Sequence, residues 1–101
     1  MAKMILVRRT YVPRAGTGGQ LAARVRAAGD AMEAAGFPKP RIFRTYSGYH
    51  GTLIVDQEWN SIEIYEASRD AVRNTKAITS IFDEIYALLE TTHHTEILIG
   101  S

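Results

Sequence analysis

The stretch from Tyr46 to Ser61, YSGYHGTLIVDQEWNS, gathers many of the groups in this chain that are able to do chemistry. Tyr46, Tyr49 and His50 fall close together, Arg44 lies two residues before Tyr46 with the spacing of one strand face, and Trp59 stands near the end of the run. An imidazole with an ordinary pKa near neutrality can take or give a proton at physiological pH. A guanidinium beside aromatic rings suits an aromatic or acidic small molecule. His50 is therefore a candidate proton acceptor, and Arg44, Tyr46, Tyr49 and Trp59 are candidate ligand contacts. The same residues also read as structure. Gly48 and Gly51 suit a tight turn with positive φ, and Thr52 to Trp59 has the length of a strand.

Three other groupings invite chemistry. His94 of the doublet His93-His94 is a second candidate proton acceptor. On a strand the two rings would point to opposite faces and could not easily close on one ion. With no cysteine and no H-E-x-x-H spacing, neither a metal site nor a bound cofactor is expected. Gly16-Thr17-Gly18-Gly19 lacks the Lys and the spacing of a phosphate loop, and reads as a turn leading to a helix cap. Ser47, His50 and Asp56 supply the residue types of a hydrolase triad, but no G-x-S-x-G elbow presents the serine.

The elements that must position these groups follow from periodicity. Residues 4–12, MILVRRTYV, form a strand that ends at Pro13. Thr17 and Gln20 have capping-box spacing, and Leu21, Val25, Ala28, Met32 and Ala35 then mark one face of a helix that Gly36 stops. A second strand runs from Arg41 to Tyr46 and a third from Thr52 to Trp59. Asn60 with Glu63 again has capping-box spacing, with Trp59 and Ile64 placed to staple the helix start. The helical pattern weakens at Asn74 and Thr75 and resumes over Ile78 to Leu89, so two helices or one kinked helix are expected. Thr95 to Ile99 is the last strand.

The order β-α-β-β-α(α)-β predicts an α+β, ferredoxin-like fold as a single domain over residues 1–101. Its four-stranded antiparallel sheet takes the order 4-1-3-2, with helices on one face. Charge is uneven along the chain. Residues 1–50 carry nine Lys/Arg against two acids, and residues 51–101 carry three against nine. In that sheet order Arg8 and Arg9 fall near Asp56, Glu58 and Glu96, so the two halves neutralise each other and no nucleic-acid partner is called for. The apolar run Met4 to Val7 is too short for a signal-peptide core or a membrane span, which gives a cytoplasmic expectation. Leu53-Ile54-Val55, Ile97-Leu98-Ile99 and Met4 to Val7 put apolar side chains on both faces of their strands. A second copy of the chain is the simplest cover for the face without helices, so a homodimer through the sheet faces is expected.

The segments LVRRTYVPRAGTGGQL and GTLIVDQEWNSIEIYEA resemble the dimeric α/β-barrel superfamily, including its antibiotic-biosynthesis monooxygenase, NIPSNAP-like and stress-responsive barrel groups. The resemblance implies two sheets packed face to face and a small hydrophobic ligand between each sheet and its own helices. It also implies, as an alternative to simple binding, a cofactor-independent monooxygenase or related small-molecule enzyme, with His50 or His94 as the base. Haem-degrading members carry an Asn in the first strand. Residues 4–12 hold none, so the resemblance does not extend to that activity.

Overall fold

The computed structural model of the chain describes residues 3–48 and 51–101. Its elements are β1 (Ile5–Tyr11), α1 (Gly18–Ala34), β2 (Arg41–Arg44), β3 (Leu53–Trp59), α2 (Ile62–Arg73), α3 (Lys76–Ala87) and β4 (His94–Ile99). The strands form one antiparallel sheet in the order β2-β3-β1-β4, the order read from the sequence. Asn74 and Thr75 separate α2 from α3, where the helical pattern fades.

Alternation decides which side chains meet the helices. Ile5, Val7, Arg9 and Tyr11 of β1 share a face with Leu53, Val55, Gln57 and Trp59 of β3. The apolar members of that set are all buried under α1, α2 and α3. Two apolar clusters result. One centres on Tyr11, Leu21, Val55 and Ile85, the other on Val7, Met32, Trp59 and Ile78, and Phe82 packs against both.

Local chemistry fixes the element ends. Gly36, at φ 88°, follows the last residues of α1. Its N–H donates to the Glu33 carbonyl, and Phe37 N–H donates to the Met32 carbonyl, the paired bonds of a Schellman ending. Gly48 and Gly51 take φ of 129° and 82°, as the turn between β2 and β3 requires.

Both helix starts differ from the capping pattern read in the sequence. Ser61, not Asn60, caps α2, and its Oγ accepts from Ile64 N–H at 3.2 Å. Ser61 itself is extended, and Trp59 before it packs inward against Phe37 and Tyr65, while Ile64 is half-exposed. At α1, Thr17 Oγ1 makes no cap bond and instead reaches the Arg14 and Leu88 carbonyls, tying the β1–α1 loop to the end of α3.

On the face without helices, Arg41, Asp56, Arg8 and Glu96 stand on one rung across all four strands. Arg8 donates two 2.9 Å bonds to Asp56, through Nε to Oδ1 and through Nη2 to Oδ2. That fork and its charge raise the Arg8 pKa. Arg41 pairs with Glu58 at 3.2 Å, and Arg24 with Glu84 at 3.2 Å. These three bridges join the basic half of the chain to the acidic half. The expectation that Arg9 shares this arrangement is corrected: strand alternation sends it to the helix side. Apolar groups flank the rung, with Phe43, Met4 and Leu98 each about two-fifths to one-half exposed. The uncovered face is therefore more polar at its centre than the apolar runs in the sequence imply.

Candidate functional site

On the helix-facing side of the sheet, β4 runs past the edge of the helical layer. Thr95 and Ile97 align with Arg9 and Val7 of β1, yet Ile97 is 44% exposed. The helices α2 and α3 do not close onto this part of the sheet. The gap is a cleft of about 580 Å³, within the size range of small-molecule sites.

Its walls come from every nearby element. Arg9, Gln57, Trp59, Thr95 and Ile97 rise from the sheet. Met32 of α1 lies deep in the cleft, while Tyr65, Ser68, Arg69, Val72 and Arg73 come from α2. Thr79, Phe82, Asp83 and Tyr86 come from α3, and His93 from the segment entering β4. The aromatic groups pack in two sets. Trp59 meets Tyr65 edge-on with centroids 5.4 Å apart. His93 lies nearly parallel to Tyr86, 5.4 Å away at 7°, and is tilted against Tyr11 at 5.5 Å. Such ring pairs hold flat walls at low conformational cost.

Arg9 and Gln57 are the polar side chains on the otherwise apolar helix-facing side of β1 and β3. Gln57 is buried and donates through Nε2 to the Pro38 carbonyl. Arg9 is half-buried, and its polar contact among the described residues is a 3.5 Å approach of Nη2 to Tyr65 Oη. Its charge acts on its neighbours. Burial lowers the His93 pKa from 6.5, and Arg9 lowers it further. Burial raises the phenol pKa values of Tyr11 and Tyr86, and Arg9 opposes both shifts. At neutral pH the cleft therefore presents the neutral imidazole of His93 and the un-ionised phenol of Tyr86 beside the Arg9 guanidinium, with Arg69 and Arg73 in the α2 wall.

The residues singled out from the sequence lie in different places. Trp59 is buried and forms part of the cleft wall, with its Nε1 lacking a hydrogen-bond partner among the described residues. Arg44 is exposed at the end of β2, and Tyr46 is fully exposed beyond it. His94 lies on the opposite sheet face, 3.9 Å from Glu96. Tyr49 and His50 fall outside the described residues. The cleft thus contains the residue types sought in the sequence, an imidazole, a guanidinium and aromatic walls, drawn from Arg9, Tyr65, Tyr86 and His93. Parity was the available signal for His93. Counting back by twos from Ile99, Ile97 and Thr95 places it on the side of the apolar face of β1.

No family model matches the chain, and no curated protein matches it. Solved structures do. A NIPSNAP family protein from Agrobacterium tumefaciens str. C58 superposes with a TM-score of 0.81 at 21% identity, covering 100% of this chain and 89% of that one. A NIPSNAP domain protein from Burkholderia xenovorans gives 0.81 at 15% identity, over 96% and 94% of the two chains. A putative antibiotic biosynthesis monooxygenase from Nitrosomonas europaea gives 0.78 at 8% identity, over 99% and 92%. At these identities the fold is what is shared. The chain is built on the ferredoxin-like α+β fold common to NIPSNAP family proteins and an antibiotic-biosynthesis-monooxygenase-like protein.

Proposed function

We propose that this protein binds a small hydrophobic or aromatic molecule in the cleft between its sheet and the α2–α3 layer. The observation that carries the reading is the 580 Å³ cleft, walled by aromatic rings and left open beside Ile97. An apolar cavity with a few convergent polar groups is the usual form of a small-molecule site. The test is ligand capture. Protein purified from cell extract, denatured and analysed by mass spectrometry should release a small aromatic compound in near-stoichiometric amount. A Phe82→Trp variant, which fills the cleft, should release much less. Equal release from both would count against the cleft.

His93 favours a second reading, that of an enzyme acting on an acidic O–H or C–H. Its ring reaches the cleft, and burial with Arg9 keeps it neutral near pH 7, the state a proton acceptor needs. Under this reading the cofactor-independent oxygenase chemistry suggested for the fold would begin with proton transfer to His93. Oxygen uptake on a panel of hydroquinones and enols would be abolished by His93→Gln, with binding of the same compounds retained. Undiminished uptake in that variant excludes His93 as the base.

The protein acts, in our reading, as a homodimer with the two helix-free sheet faces together. Exposed Phe43, Met4 and Leu98 on that face support the arrangement.

A further inference from the structure

Two arginines of this chain are drawn partly out of solvent, Arg8 and Arg9. Arg8 has both of its forks filled by Asp56. Arg9 has no carboxylate partner among the described residues, and its one approach to an acceptor is the long contact with Tyr65 Oη. Asp83, the acid at the cleft rim, does not pair with it. A guanidinium drawn partly out of water, with one long protein contact, has donors to offer whatever enters the cleft.

Two further donors belong to residues of the same cleft. Trp59 Nε1–H is buried beside the same cleft with no partner among the described residues. Tyr65 Oη accepts from Arg9, which leaves its own hydrogen free to donate. The acids on α2 next to the cleft, Glu66 and Asp70, are engaged by Arg69 and Arg73. Arg69 and Arg73 in the cleft wall thus have their own acids, Asp83 at the rim pairs with none of the three arginines, and Arg9 is the cation of the cleft with no carboxylate against it among the described residues. The flat aromatic walls leave room for a ring system.

We propose that the ligand of this cleft is a monoanionic aromatic acid of one or two rings, its carboxylate held by the Arg9 guanidinium and its rings against Tyr65, Phe82 and Tyr86. The inference rests on the reading of the cleft as a small-molecule site and names the chemical class it takes. A planar carboxylate matches the guanidinium fork with two parallel bonds. With Arg69 and Arg73 paired and Asp83 at the rim, the single cation without a carboxylate suits one negative charge better than a phosphate dianion. Lowered polarity inside the cleft strengthens the pair relative to water.

A matched pair of probes isolates the charge: 2-naphthoate and 2-naphthamide, equal in shape and different in charge. Both are titrated into 15N-labelled full-length protein. The single tryptophan gives one indole N–H signal, which reports on the cleft directly. Naphthoate is expected to bind at least tenfold more tightly than the amide and to shift that signal. Arg9→Gln should reduce the ratio to about one while the amide affinity and the spectral dispersion persist, and Arg9→Lys should keep about a threefold preference. Equal affinity of acid and amide in the wild type, or an undiminished preference in Arg9→Gln, overturns the anion assignment and leaves the small-molecule site standing. Failure of both probes to bind below millimolar concentration overturns the site and the assignment together.

Discussion

The guanidinium of Arg8 closes two 2.9 Å bonds on Asp56, whereas that of Arg9 leaves the opposite side of the sheet and meets Tyr65 Oη at 3.5 Å. Each has a measurable consequence. Asp56 is almost wholly buried, so Asp56→Asn leaves the fork of Arg8 poorly answered and should lower stability by about 1–3 kcal/mol. Arg41→Ala, which breaks an exposed pair, should stay within about 1 kcal/mol. Urea midpoints at a common slope decide between them. His93 supplies a second prediction. Burial and Arg9 both favour the neutral ring, so its folded pKa lies below the unfolded value of 6.5. The unfolded chain takes up the proton first, and stability falls as pH drops from above 6.5 through the folded pKa. An NMR titration should place the His93 midpoint below 6.5 in the wild type and higher in Arg9→Gln, because the like charge is gone. An unchanged midpoint would place Arg9 too far away to act. At this scale the sequence showed residue types but not faces. RR read as a unit and HH as a pair divided between two faces, and the register shows which member of each meets the cleft. Taking Arg9 with Arg8 follows from reading that doublet without the pleat, and naming His94 follows from a last strand whose register was not yet known.

Elements were more legible than residues, because periodicity and turn chemistry act locally. Gly36 stops α1, Asn74 and Thr75 part α2 from α3, and the crossover rule sets the sheet order, all as the residues themselves suggest. The cap of α2 falls one residue later than the Asn60–Glu63 spacing suggests, because serine is as good a cap as asparagine. The structure selects Ser61, whose Oγ accepts from Ile64 N–H. Ser61→Ala should cost about 1 kcal/mol, while Asn60→Ala should fall within about 0.5 kcal/mol. Thermal unfolding of the two variants tests the assignment, and equal losses would contradict it. The cleft itself is an element-scale feature that no local pattern announces. It exists because α2 and α3 stop short of β4, and the distance between a helix pair and a sheet edge is not written in any single segment.

For the whole molecule, the side of the sheet away from the helices is the open question with the largest energetic consequence. Phe43, Met4 and Leu98 lie exposed there, beside the part-buried Leu6 and Ile54. Sedimentation at micromolar concentration should give a particle of twice 11.2 kDa, and Phe43→Glu with Leu98→Glu should return it to a single chain. A stable wild-type monomer would remove the dimer reading while leaving the cleft untouched. Arg41, Asp56, Arg8 and Glu96 also restrict what can lie against this face. Their signs alternate from one sheet edge to the other. A purely oily lid would strand four charges, so any cover must offer polar groups along the same line. For a face-to-face twin, symmetry discriminates between two placements. A two-fold axis along the strands sets plus against minus at each position, whereas an axis along the line sets like against like. The row thus works as a key for orientation, and reversing one tooth of it, as in Glu96→Lys, should loosen the pair by more than the small cost of facing Arg8 within each subunit.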